Sequence, residues 1–231
     1  MVQIWRDLLF AHWPFSAIEL RRVVPSALEL DLFQEQGWIG VVPFRMTGIR
    51  LRGLPPIPPA SASLELNVRT YVTVDGRPGV YFFSLDAEKL LLVMAARYWY
   101  RLPYFHARMG FRERDGLVSY ESCRMNRKAP PAEFRAQYRP TGEAFHTTPG
   151  TLEHWLTARY CLYSIDPRGR VLRAEIDHAP WPLQSAAAEI SVNTMTAPIG
   201  LSLSGPPLLH FARKLEVVAW TPETVCHNTT R

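Results

Sequence analysis

Between residues 64 and 74 apolar and polar side chains alternate. Leu64, Leu66, Val68, Val72 and Val74 fall on one side, and Glu65, Asn67, Arg69, Tyr71 and Thr73 on the other. A period of two belongs to a strand, so this stretch predicts a half-buried strand with one polar face. Asp75-Gly76-Arg77-Pro78 supplies turn chemistry, and residues 79–86 read as a second strand returning on the first. Residues 87–100 are rich in Leu, Met and Ala and apolar nearly all round, which predicts a buried helix with Asp86 as its N-cap. Pro103 stops that helix, and Tyr104-Phe105-His106 opens a further extended run. A chain built around such a unit is constrained to a largely β fold.

The remaining segments extend the pattern. Ser16 and Glu19 form a capping box, with Phe15 and Leu20 as its staple, and predict a helix over 16–24 that ends before Pro25. Residues 28–33 and 38–52 read as a second hairpin about a turn at 34–37, with Pro43 and Gly48 marking a bulge or an edge. The run 54–59 is too proline-dense for helix or sheet and predicts a stiff loop. Turns at 114–116 and 166–169 join 105–113 to 117–126 and 160–165 to 170–178, and 133–139 adds another strand. A short helix is expected over 151–159 and a brief helical run over 184–190, then a loop at 200–207 and a last strand at 208–220. About ten strands with few helices indicate a single β-barrel or sandwich domain over 1–231.

Composition narrows the function classes. Hydrophobic residues are 47% of the chain and charged residues 20%, enough for a sizeable core. The net charge of +5 comes from arginine, since the lysines are only Lys89, Lys128 and Lys214. Arginine is the better fork for carboxylates and phosphates, which favours an acidic small ligand. The arginines are scattered, with no basic tract or aromatic-basic repeat, so nucleic acid is not expected as a partner. No apolar run approaches the roughly 20 residues of a membrane span, and the start of the chain lacks a basic leader before a long apolar core. A cytoplasmic protein without membrane contact is expected. Cys123, Cys161 and Cys226 are widely spaced and suit reduced thiols. Histidine spacing gives no metal site, and no nucleotide, P-loop or serine-hydrolase motif occurs, so neither metal nor cofactor is implied.

Two segments resemble acetoacetate decarboxylase. RDLLFAHWPFSAIELRRVVPSALELD, residues 6–31, is similar to its N-terminal segment without a gap, including Leu-Arg-x-Val-Val-Pro and the strand Leu-Glu-x-Asp. Residues 65–105 share its layout: a glutamate at a strand start, a hairpin with Gly-x-Tyr, and a helix whose closing motif reads here from Ala96 to Phe105. Over nearly its full length, through WRDLLFAHWP, GVVPFRM, ELNVRTYV, GVYFFSLDA, PYFHARM and HAPWPL, the chain resembles an uncharacterised bacterial family of the acetoacetate decarboxylase-like superfamily. The resemblance implies a mainly β (α+β) fold, a cone-shaped antiparallel barrel with a few short helices and an interior active site. It places the decarboxylase's arginine on Arg6 and its glutamate on Glu65. Its nucleophilic lysine falls on Tyr104, and the neighbouring lysine on Phe105. Neither can form an imine, so Schiff-base decarboxylation is not expected.

Candidate residues follow from both readings. Glu65 is a general acid or base if its face is interior, and a solvated carboxylate otherwise; Asn67 and Arg69 share its face. Tyr104 and His106 alternate about Phe105 and offer a phenol and an imidazole for proton transfer, or else are half-buried structural side chains. Arg6 is either a ligand-binding cation or half of a structural ion pair. Arg97 either complements its helix dipole or clamps a carboxylate. His178 and Trp181 form either a pocket wall or a packed corner. Glu65, Tyr104 and His106 are thus the expected catalytic set, and Arg6, Asn67, Arg69, Arg97, His178 and Trp181 the expected binding set. The function expected is that of a small-molecule enzyme acting on an organic acid or ketone by acid-base chemistry. The alternatives are a non-catalytic binding protein and a protein-interaction subunit, and a homo-oligomer is left open.

Overall fold

The computed structural model describes residues 1–55, 61–90, 93–94, 98, 100–126 and 129–225. Its strands are β1 (Val2–Ser16), β2 (Glu29–Leu30), β3 (Gln36–Arg50), β4 (Ser63–Val74), β5 (Arg77–Ala87), β6 (Tyr104–Arg114), β7 (Leu117–Arg124), β8 (Glu133–Pro140), β9 (Cys161–Ile165), β10 (Val171–His178), β11 (Leu183–Asn193), β12 (Leu208–Ala219) and β13 (Glu223–Thr224). Two short helices accompany them, α1 (Ala17–Arg21) and α2 (Leu152–Thr157), with a 3-10 turn at Ala197–Ile199.

The strands close twice. β5-β6-β7-β8-β11-β12-β1-β3-β4 returns to β5 as a nine-stranded barrel, and β5-β9-β10-β12 closes a second ring across the same wall. The ladders are antiparallel except where β5 runs parallel to β6 at one end and to β9 at the other. The wall β12-β1-β3-β4-β5 is therefore covered on both faces. On one side Leu8, Phe10, Val42, Phe44 and Tyr71 meet Leu162, Ala174, Ile176 and Leu156 in a first core. On the other, Leu9, Ala11, Val41, Leu66 and Val68 meet Tyr120, Phe134 and Tyr138 in a second. The expectation of a half-buried strand at 64–74 is corrected accordingly: β4 buries both faces because both rings use it.

Tyrosines fasten the second layer to the wall. Tyr138 Oη donates to the carbonyl of Asp7 at 2.9 Å, and Tyr120 Oη lies 2.8 Å from the carbonyl of Glu65. Asp7 itself has φ +52° within β1, at a register shift against β3, and its buried carboxylate accepts from Arg45 and Arg213. A bulged residue of this kind changes which side chains face which core.

Several predicted elements hold. The capping box at Ser16 and Glu19 is formed, the Asp75-Gly76 turn joins β4 to β5, and the β6-β7-β8 meander and the β9-β10 hairpin lie where expected. Others are corrected. The helix after Ser16 spans only Ala17–Arg21. β2 pairs with β4 rather than with β3, which lies between β1 and β4. Residues 184–190 belong to β11, because alternate burial along the run and a ladder to β8 override alanine's helix preference. β1 was not anticipated as a strand. Asp86 is no N-cap: β5 continues to Ala87. Leu90, Val93, Met94, Tyr98 and Tyr100 are helical, Glu88 and Lys89 are not, and residues 91–92, 95–97 and 99 and the proline run at 56–59 lie outside the described residues.

Asp86 instead takes a bidentate pair from Arg124 at 2.9 and 2.6 Å, fully buried, with the guanidinium 4.0 Å from the Phe105 ring centroid. Arg124→Ala strands that carboxylate, and loss of one partner of a buried pair costs about 3–5 kcal/mol. Urea unfolding is expected to show a loss of this size in Arg124→Ala and a clearly smaller one in the double variant Asp86→Leu/Arg124→Leu.

Candidate active site

Register decides which side chains meet, because directly opposed residues of neighbouring strands share a face. Glu65 of β4 opposes Ala87 of β5, which opposes His106 of β6. One step along, Asn67 opposes Leu85, which opposes Tyr104. Leu85 belongs to the first core, so Glu65, Asn67, Tyr104 and His106 all face that core. The Tyr104 hydroxyl donates to Glu65 Oε2 at 2.9 Å. His106 stands two strands from Glu65, half-buried, with the small Ala87 between them.

Burial sets the protonation of the pair. Glu65 is only 4% exposed. Desolvation pushes its pKa up to about 8, opposed by the Tyr104 hydrogen bond and reinforced by the nearby Asp86 charge. Desolvation and the Glu65 carboxyl likewise hold the Tyr104 phenol well above its ordinary value. The carboxyl is thus protonated at neutral pH and the phenol keeps its proton.

Further along β4, Arg69 opposes Gly40 of β3, which opposes His12 of β1. Gly40 is needed there: a Cβ would stand 3.0 Å from His12 Nε2 and 3.5 Å from Arg69 Cγ. His12 Nε2 lies 2.7 Å from Tyr71 Oη. Burial, then Arg69 and His210, hold the His12 pKa well below the usual imidazole range. Arg69 is 8% exposed and packs its guanidinium over the Phe10 and Tyr71 rings, with no hydrogen bond or ion pair among the described residues. Asn67 Oδ1 is also buried without a hydrogen-bond partner.

The other expected residues are placed differently. Arg6 opposes Arg45, which opposes Leu64, a residue packed on the second core, so Arg6 lies on the face away from Glu65. Its Nε donates to Thr47 Oγ1 at 3.2 Å. The Asp7 bulge explains the displacement, since it reverses the alternation of β1 between Arg6 and Phe10. His178 is a packed corner: Nδ1 contacts the Ala179 carbonyl and Nε2 the Arg159 carbonyl, and the ring stacks on Tyr160 at 4.8 Å. Trp181 is buried in the first core, edge-on to Phe10 at 4.9 Å. Arg97 lies outside the described residues. A separate cleft of about 420 Å³ between β5 and β9 is lined by Tyr81, Phe82, Leu102, Pro103 and Tyr163, and none of the polar residues above reaches it.

His12, Tyr71 and Arg159 escape a reading of the sequence as site residues. His12 sits in an unanticipated strand, Tyr71 reads as one more member of a polar face, and Arg159 follows a short helix with no motif around it. Arg159 joins the group through tertiary packing alone, its guanidinium 4.9 Å from the Tyr71 ring centroid and 4.4 Å from that of Trp155.

Comparison with known proteins gives the family and the fold. Residues 2–216 match a family model for an uncharacterized conserved protein. The uncharacterized protein YqjF of Bacillus subtilis (strain 168) is 48% identical over 221 residues, covering 95% of this chain and 90% of that one. Among solved structures, an acetoacetate decarboxylase-like enzyme from Sphingomonas wittichii RW1 superposes with a TM-score of 0.65 at 12% identity, over 97% of this chain and 92% of that one. The enduracididine biosynthesis enzyme MppR, complexed with the condensation product of pyruvate and imidazole 4-carboxaldehyde, gives 0.67 at 10% identity, over 96% and 88%. At these identities the likeness establishes the fold, a mainly β acetoacetate decarboxylase-like barrel.

The raised Glu65 pKa has a measurable consequence. Between the ordinary carboxyl value of 4.5 and about 8 the folded protein holds a proton that the unfolded chain has released. Stability therefore falls as pH rises through that window, by up to about 1.4 kcal/mol per unit. Thermal unfolding from pH 5 to 8 should show the melting temperature of the wild type declining relative to Glu65→Gln, which carries no such proton. Parallel curves would refute the assignment.

Proposed function

The chain belongs to the DUF2071 family and has the acetoacetate decarboxylase-like fold, and we propose that the interior of the ring closed by β9 and β10 receives a small organic acid or ketone and exchanges a proton with it at Glu65, without an imine. The observation that carries this reading is the buried Glu65 carboxyl, protonated at neutral pH and held by the Tyr104 phenol at 2.9 Å.

The chemistry follows from that pair. With Oε2 occupied by Tyr104, the proton on the neutral carboxyl is free to pass to a ligand oxygen or carbon through the other oxygen. The carboxylate left behind keeps the Tyr104 hydrogen bond, which favours the charged form. The phenol, hard to ionise, remains a donor throughout. His106, on the same face two strands away, is the candidate for returning a proton to the Glu65 carboxylate after the transfer. Asn67 and Arg69 continue the polar face along β4 and suit a ligand carrying oxygen atoms and negative charge.

One position argues against imine chemistry. The position that the resemblance assigns to the lysine holds Tyr104, and Lys214 is exposed on β12. That substitution also supports a second reading, a binding protein that retains its ligand without converting it. MppR has been solved complexed with pyruvate, which makes small 2-oxo acids a reasonable first class to try.

A thermal-shift screen of small carboxylic acids, 2-oxo acids and neutral ketones tests the proposal, followed by turnover assays on the class that binds. A ligand at about a hundred times its dissociation constant stabilises by about 2.7 kcal/mol, a shift of roughly 5–10 °C for a chain of this size. Turnover lost in a folded Glu65→Gln supports the enzyme; retained binding with no turnover in the wild type supports the binding protein. Borohydride with pyruvate should trap no adduct, and an adduct on any lysine would overturn the non-covalent route.

A further inference from the structure

The far end of the interior face has a different character from the Glu65 end. Four buried nitrogen atoms there have no hydrogen-bond partner among the described residues: His12 Nδ1, Trp38 Nε1, Arg69 Nε and Arg159 Nη2. Three of these residues, His12, Arg69 and Arg159, lie against Tyr71. Arg69 and Arg159 place their guanidinium carbons 5.8 and 4.9 Å from its ring centroid, and His12 bonds its hydroxyl. Trp38 lies two residues before Gly40 on the same face of β3, its carbonyl accepting from Thr70 Oγ1 at 2.8 Å. The tryptophan and arginine nitrogens are donors, and His12 Nδ1 is one in the tautomer whose Nε2 accepts from Tyr71; buried donors are ordinarily satisfied, and a cluster of them left open marks a place for an acceptor.

Charge specifies the acceptor further. Arg159, 6% exposed, is neutralised by Asp31, which also accepts from Trp155 Nε1 at 3.2 Å. Arg69 faces no carboxylate among the described residues. An enclosed guanidinium without a counter-charge is costly, and its fork geometry matches a planar carboxylate. The group therefore carries one uncompensated positive charge, which calls for a monoanion.

We infer that Arg69, Arg159 and His12, gathered around Tyr71, seat a single carboxylate of a monocarboxylic acid. This rests on the reading that the interior face receives a ligand, and adds where the acid group goes. Arg69 is four residues from Glu65, about 13 Å along the strand between Cα atoms. A carboxylate held at Arg69 is thus a handle, kept through the reaction, and the carbon or oxygen that exchanges a proton lies along the chain toward Glu65. The substrate class is a monocarboxylic acid with its reactive oxygen remote from the acid group, as opposed to one that loses that group as carbon dioxide.

Calorimetric titration of the full chain with butyrate, and with butyramide as the uncharged control, tests the seat. The wild type and Glu65→Gln should both bind butyrate at least ten-fold tighter than butyramide. Arg69→Met should lose that preference, and Arg69→Lys, which keeps charge without the fork, should weaken it less. Because Arg69 has no counter-charge, ligand-free Arg69→Met should melt at the wild-type temperature or above it. No preference in the wild type, a preference that survives in Arg69→Met, or a ligand-free Arg69→Met melting several degrees lower would each overturn the seat. Loss of the preference in Glu65→Gln would move the acid group to the Glu65 end and also overturn it. Failure of the acid-base reading looks different: turnover that persists in Glu65→Gln while the butyrate preference is intact.

Discussion

Everything in this molecule depends on one wall of five strands, β12-β1-β3-β4-β5, being buried on both faces. Where both faces are covered, such a wall has no solvent side on which to leave polar groups. Each must be paired, as Asp86 is with Arg124 and Asp7 with Arg45 and Arg213, or be given some other reason to be there. Glu65, Asn67, Arg69 and His12 on the first-core face belong to the second kind. Their departure from an apolar core is what separates a site from a fold.

Two bulges fix how that polar set is presented. At Asp7 the φ of +52° reverses the alternation of β1, turning Arg6 away while Leu8, Phe10 and His12 face inward. Between Val68 and Arg69 the ladder to β5 shifts by one residue, with Val68 opposite Ser84 and Arg69 opposite Phe82. Extra residues of this kind bend a strand and re-aim its side chains. Here they let one continuous wall serve two rings of different size.

How much of this was legible in the sequence follows from the same physics. Alternation exposed β4 and its polar face, turn residues exposed the hairpins, and Tyr104 with His106 was correctly placed on one side of an extended run. β1 was illegible because Leu8-Leu9-Phe10-Ala11 feeds two cores and shows no period of two. β11 was misread because three consecutive alanines favour helix until β8 offers an edge to pair with. Arg6 was put in the pocket by likeness of sequence, which cannot register a positive φ one residue later. The cluster around Tyr71 draws on β1, β3, β4 and the segment after α2, and no local pattern announces a meeting of that kind.

β1 pairs along nearly its whole length with β12, Val2 opposite Val218 and His12 opposite Leu208. β1 therefore finds one of its two neighbours only after some two hundred residues more have been made. Closing so long a loop is entropically slow, and until it happens β1 carries an open edge along an apolar segment. Until β12 is made a growing chain is a half-built barrel, and truncation before Leu208 leaves β1 without that neighbour.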